Sequence, residues 1–263
     1  MRISFLVAGV QKGGTTAMDH NLRTHPDVGM PRRKETHFFD REGLDWSAPG
    51  YDKLHQLYRP GRSVYGEATP ITIYWPPAHE RIRAYNPDMR FIFLFRDPVE
   101  RAFSQWCMEF ARGRETLTFG EAIRRGRERV RQGQMSREHR IYSYVERGFY
   151  SAQIDAIRRL FPSANLLHLM SEELLENRAM VLTKVAKFIG VCPEGFKDEP
   201  IVARTRKPVN YPSSITDADR AYLRELFAAD LELFAGLTGL DIGRWPTVKA
   251  TAPAVDEAPK DNR

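Results

Sequence analysis

Three short stretches of this chain carry residue types that act on anionic groups. The first is Gly9-Val10-Gln11-Lys12-Gly13-Gly14-Thr15-Thr16, set between an apolar run and a helical pattern. A turn in that setting points backbone N–H groups outward. The helix behind it adds free N-terminal amides and the positive end of its dipole. Such a cradle binds phosphate or sulfate. Gly13 and Gly14 admit close approach of the backbone. Thr15 and Thr16 supply hydroxyls, Lys12 a full charge that can neutralise a leaving-group oxygen, and Gln11 is a further candidate contact. The lysine precedes the glycine pair, unlike G-x-x-x-x-G-K-[ST], which argues against a standard nucleoside triphosphate reader. A tight strand–helix turn without a ligand is the alternative.

The second stretch is Phe91-Ile-Phe-Leu-Phe-Arg96-Asp97-Pro98-Val-Glu-Arg101-Ala-Phe-Ser104. Arg96 closes an apolar run, where a guanidinium can grip a phosphate with two N–H groups. Ser104, two turns into the next helix, can donate to the same group. An Arg96–Asp97 ion pair capping that helix is the alternative. The third stretch is Lys34-Glu35-Thr36-His37-Phe38-Phe39-Asp40. In an extended segment Glu35 and His37 point to one side, and either can be the base that takes a proton from an acceptor. Lys34 and nearby Lys12 favour an ionised Glu35. A charged surface turn ahead of a buried Phe38-Phe39 pair is the alternative.

The elements that would position these groups follow from hydrophobic patterning. Ile3–Gly9, Arg90–Phe95 and Asn165–Leu169 read as short buried strands. Thr16–Thr24, Val99–Phe110, Ser151–Leu160, Arg178–Ile189 and Thr216–Phe234 read as helices. Strands alternating with helices predict an α/β fold with a central parallel sheet flanked by helices. Ligands of such sheets sit beyond the carboxyl ends of the strands, which selects the turns after Gly9 and Phe95.

The first stretch resembles the 5′-phosphosulfate loop of sulfotransferases that use 3′-phosphoadenosine 5′-phosphosulfate (PAPS). Its Gln-Lys-Gly-Gly-Thr-Thr form is similar to the branch containing the heparan sulfate sulfotransferases and bacterial relatives. The Arg96–Ser104 stretch resembles the family's 3′-phosphate site. In that branch the glutamate of Lys-Glu-x-His-Phe-Phe is the proposed base, which the resemblance places on Glu35, with His37 and Asp40 as its companions. Tyr65-Gly-Glu67-Ala68-Thr69-Pro70 resembles a Glu-Lys-Thr-Pro segment, with Ala68 standing where the heparan enzymes carry lysine. Glu67 is either a second acid of the acceptor cleft or a structural carboxylate. Arg147-Gly148-Phe149-Tyr150 and Leu166–Leu174 resemble fold framework. Arg204 and Arg206 stand near the family's nucleotide loop. The resemblance implies a P-loop nucleotide-kinase-like outline, PAPS as donor and 3′,5′-adenosine bisphosphate (PAP) as product, with no metal.

Composition sets the bounds. The 263 residues carry 40 Lys and Arg against 34 Asp and Glu, a net charge of +6, with 42% hydrophobic residues. That describes an ordinary globular chain, excludes a wholly disordered one, and fits an anionic ligand without requiring nucleic acid. Cys107 and Cys192 are too few for a disulfide scaffold and read as free thiols. No run reaches the roughly 20 apolar residues of a membrane helix, so a cytoplasmic protein is expected. Residues 112–147 hold ten arginines and five glutamates, either a solvated, salt-bridged excursion or a basic lid. One domain over residues 1–246 and a disordered tail from Thr247 to Arg263 are expected. The resulting reading is sulfuryl transfer from PAPS to a hydroxyl, less favourably an amine, of a carbohydrate or secondary metabolite. An ATP-dependent kinase of similar outline and a non-catalytic binding protein are the alternatives.

Overall fold

The computed structural model describes residues 1–132, 135–197 and 209–249. Five strands form one parallel sheet: β1 (Phe5–Gly9), β2 (Val28–Gly29), β3 (Val64–Ala68), β4 (Arg90–Phe95) and β5 (Leu166–Met170), in the order β2-β3-β1-β4-β5. Every residue of β1 is buried, as expected for a central strand covered on both faces. Period-two alternation sorts the side chains. Leu6, Ala8, Phe91, Phe93 and Phe95 enter one core, and Phe5, Val7, Ile92 and Leu94 enter the other.

Helices cover both faces. α1 (Thr15–Thr24) packs Met18 and Leu22 on the second core, where α10 (Arg178–Ile189) adds Val181, Leu182, Val185 and Ile189. The first core takes residues of α3 (Pro76–Tyr85), α4 (Pro98–Ala111), α8 (Tyr150–Arg158) and α11 (Asp217–Thr238). The remaining short helices are α2 (Asp52–His55), α5 (Phe119–Ile123), α6 (Arg127–Gln132), α7 (Arg137–Tyr142), α9 (Ser171–Glu176) and α12 (Pro246–Lys249).

The chain leaves β1 toward β2 and β3 on one side and adds β4 and β5 on the other. This change of direction opens a crevice at the carboxyl ends of the central strands. There the loop after β1 is pinned to β4, because Val10 N–H donates to the Leu94 carbonyl oxygen at 3.0 Å. Gly13 is obligatory at this crossing, since a Cβ on it would lie 2.2 Å from that same carbonyl oxygen.

The expected tail start at Thr247 is corrected. Thr247 is buried in α12, its N–H and hydroxyl each donating to the Asp97 carboxylate at 2.8 Å. A threonine that satisfies a buried carboxylate belongs to the folded body. The stretch from 250 onward lies outside the described residues. Thr247→Val, which keeps the shape and removes the hydroxyl donor, is expected to cost about 1–3 kcal/mol. A urea unfolding midpoint equal to that of the unchanged protein would contradict this placement.

Candidate active site

Two helices begin at the crevice, and their N-termini are treated differently. At α4, Asp97 caps the helix by accepting from Val99 N–H at 2.9 Å and Glu100 N–H at 3.1 Å. Asp97 therefore serves α4 and Thr247, while Arg96 turns away and donates to the Lys12 carbonyl oxygen at 3.4 Å. At α1 the N-cap is Gly14, in the left-handed region at φ 95°, with no side chain to cap anything. The first amides of a helix have no carbonyl of their own helix to bond. Those of Thr15 and Thr16 thus face the crevice with the helix dipole behind them. Lys12 is also left-handed, at φ 73°, and its Nζ lies 4.0 Å from the Met108 sulfur of α4. The donor-type residues Lys12, Gly13, Gly14, Thr15, Thr16 and Arg96 are thereby gathered at one point, with Ser104 on α4 nearby in the chain and buried. Arg204 and Arg206 lie outside the described residues.

Glu35 and His37 meet, but not by strand alternation. Both adopt the left-handed region, at φ 62° and 51°, and the turn they form brings Glu35 Oε2 within 3.5 Å of His37 Nε2. The expected extended stretch is corrected on this point. Thr36 between them donates its hydroxyl to Glu67 at the end of β3, which anchors the turn to the sheet. Glu67 is buried, with burial first and the Asp40 charge second among the effects raising its pKa, to about 7. Of its two readings the structural one fits: Glu67 holds the turn from below.

The other charges oppose one another across the turn. Burial works against ionised Glu35, but hydrogen bonds and charge from His37 and Lys34 outweigh it and bring the pKa to about 2; Lys34 Nζ is 2.6 Å away. His37 is raised to about 9, first by its hydrogen bond to Asp40 and then by Glu35. Its Nδ1 lies 3.0 Å from Asp40 Oδ2. The buried Asp40 in turn receives Arg140 of α7 at both its carboxylate and its backbone carbonyl. At neutral pH the pair is a carboxylate beside an imidazolium.

A cleft of about 520 Å³ brings these groups together. Gln11 of the loop lines it with Glu35, His37 and Asp40, and Arg112, Arg114, Arg137, Arg140 and Arg147 form its basic wall. Gln11 Oε1 accepts from Arg147 at 3.0 Å, so its side chain belongs to the cleft wall. In the 112–147 excursion Arg125–Glu121, Arg127–Glu146 and Arg129–Glu115 are ion pairs. Of the arginines that line the cleft, Arg112 and Arg114 pair with Glu109 and Arg140 with Asp40. Arg140 is not legible as a site residue, because nothing in a run of ten arginines marks it, and Arg147 reads only as fold framework. Trp75 and Trp106 are core, and Trp46 and Tyr51 pack against it. Among the described residues neither cysteine forms a disulfide. Among the described residues no cluster of His, Cys, Asp or Glu could hold a metal ion, and no helix is long and apolar enough to cross a membrane.

Comparison with known proteins agrees with this architecture. The sulfotransferase domain family model matches residues 2–207. Human heparan sulfate glucosamine 3-O-sulfotransferase 6 is 33% identical over 190 residues, covering 71% of this chain and 52% of the relative. Mouse heparan sulfate glucosamine 3-O-sulfotransferase 3B1 is 31% identical over 189 residues, covering 71% and 45%. The solved sulfotransferase of Alicyclobacillus acidocaldarius superposes with a TM-score of 0.78 at 25% identity, covering 93% of this chain and 99% of that one. The chain belongs to the sulfotransferase family. It spans about half the length of the curated relatives it matches.

Glu67 supplies a test of the turn. Its folded pKa of about 7 exceeds the ordinary 4.5, so the native state holds a proton that the unfolded chain releases between those values. Stability contributed by this group therefore falls as pH rises across that window. Glu67→Gln, which still accepts from Thr36, is expected to remove that decline. Thermal melts of variant and parent on both sides of the window check this; parallel curves would contradict the burial argument.

Proposed function

We propose that the protein transfers a sulfuryl group from PAPS to a hydroxyl of an acceptor held in the basic cleft. The observation that carries this reading is the uncapped N-terminus of α1, with Lys12 and Arg96, opening beside a carboxylate–imidazolium pair. The cradle suits the 5′-phosphosulfate, and Arg96 with Ser104 suits the 3′-phosphate. Arg204 and Arg206 remain candidates for nucleotide contact.

In this scheme Glu35 is the base. His37 carries its proton well above neutral pH and cannot accept another, whereas Glu35 is ionised. A carboxylate of such low basicity takes the proton late, once the attacking oxygen has begun to bond sulfur and become strongly acidic. The acceptor O–H bond breaks toward Glu35 as the new O–S bond forms. The S–O bond to the donor's phosphate breaks in line, its electron pair leaving on the phosphate oxygen of PAP. Lys12 and the α1 amides offset the charge growing on that oxygen. His37 holds Glu35 and can donate a hydrogen bond to the acceptor.

The acceptor we favour is an anionic carbohydrate or a similarly charged secondary metabolite. The arginines of the cleft wall support anionic groups. The heparan-type acceptor of the curated relatives is not carried over unchanged. Ala68, where those enzymes have lysine, is fully buried in the core.

Labelled PAPS and a panel of acceptors test the reading. Glu35→Gln is expected to lower kcat by about two to four orders of magnitude with little change in the KM for PAPS. Lys12→Ala is expected to lower turnover more than donor affinity. Label transfer at the parent rate by Glu35→Gln would remove the base assignment. Failure of the parent to transfer label to any acceptor would count against the activity itself.

A further inference from the structure

We propose that Arg140 is a positioning residue for sulfuryl transfer, fixing the Asp40–His37–Glu35 chain and joining it through Arg147 to the donor loop at Gln11. This rests on the reading that Glu35 is the base. The contacts form one continuous path. Arg140 donates one N–H to Asp40 Oδ2 and another to the Asp40 carbonyl oxygen. Its guanidinium lies 3.9 Å over the ring of Trp75, a fully buried side chain. The planar fork is therefore held between an indole face and a buried carboxylate, a geometry that lysine cannot copy. Asp40, so held, meets His37 Nδ1 and orients the ring so that Nε2 faces Glu35.

The same residue reaches the donor side through its backbone. The Arg140 carbonyl oxygen accepts from Arg147 at 2.8 Å. Arg147 is buried, is steadied by Ser143 Oγ at 2.8 Å, and donates to Gln11 at 3.0 Å. The phosphate-type loop follows the central strand β1 and the base follows the edge strand β2, and this basic excursion ties them together. Its role is then more than lining the cleft: it sets the distance between the two halves of the reaction.

The electrostatics around His37 give opposite signs to two explanations. The charged groups near it are Lys34, Glu35 and Asp40 on its own segment, Glu67 from β3, and Arg140 from α7. The wider cleft adds Arg41, Glu42, Glu109 and the other wall arginines. If Arg140 acted only as a nearby positive charge, its removal would let Asp40 attract the imidazolium more strongly and the His37 pKa would rise. If Arg140 holds Asp40 in place, its removal frees the carboxylate. His37 then falls from about 9 toward its ordinary 6.5.

The experiment is an NMR titration of the His37 ring in the full chain, for the parent, Arg140→Ala and Arg140→Lys. It is paired with steady-state transfer from labelled PAPS. Arg140→Lys keeps the charge over Trp75 and guards against a variant that fails to fold. The expected result is a lowered His37 pKa in both variants and a kcat reduced about a hundredfold, with the KM for PAPS changed little. An unchanged or raised His37 pKa in folded Arg140→Lys overturns the proposal whatever the rate. A lowered pKa with parental kcat also overturns a role in transfer. Glu35→Gln measured in the same assay separates that outcome from a failure of Glu35 as the base: a parental rate there removes the base assignment, and a reduced rate leaves it standing without Arg140.

Discussion

A glycine stands where α1 needs a cap, and the organisation of the site depends on it. Both helices that start at the central crevice have N–H groups to satisfy. α4 uses Asp97, whose carboxylate is completed by Thr247 of α12. α1 has only Gly14 and leaves its amides facing outward. An internal carboxylate at one terminus and none at the other make α1 the place where an external anion lowers the free energy most. Gly13, which must pass close against the Leu94 carbonyl oxygen, sets the position of that terminus relative to β4.

The side of the cleft proposed to hold the acceptor is arranged by charge rather than by secondary structure. Two left-handed residues, Glu35 and His37, make a turn that a helix or strand would not supply, and Thr36 between them is tied to buried Glu67. Lys34, Asp40 and Arg140 surround the turn, so each ionised group has an opposite partner. Such compensation lets a carboxylate and an imidazolium coexist at the mouth of a partly buried cleft. The basic excursion closes this network onto the loop after β1 through Arg147 and Gln11.

The central strands and the phosphate-type loop are legible in the sequence because their signals are local. β4 coincides with the expected Arg90–Phe95 and α10 with Arg178–Ile189. β3 is hidden because Gly66 and Glu67 interrupt its apolar run. In the fold Gly66 makes room for the ring of Phe5, and Glu67 finds Thr36. β2 is two residues long and carries no periodicity. α3 opens with Pro76-Pro77, which suits a first helical turn as well as a break. Glu35, His37 and Asp40 stand out by type and spacing. Arg140 does not, since its partner Asp40 lies 100 positions earlier in the chain.

The account stands on a donor site that takes a 3′-phosphorylated nucleotide rather than a triphosphate. Calorimetry of PAP binding, with ATP as the control, tests that most directly. The account predicts micromolar or tighter PAP affinity, at least about 1.4 kcal/mol better than ATP, which is tenfold in Kd. ATP binding without PAP binding would contradict it and return the chain to the kinase alternative.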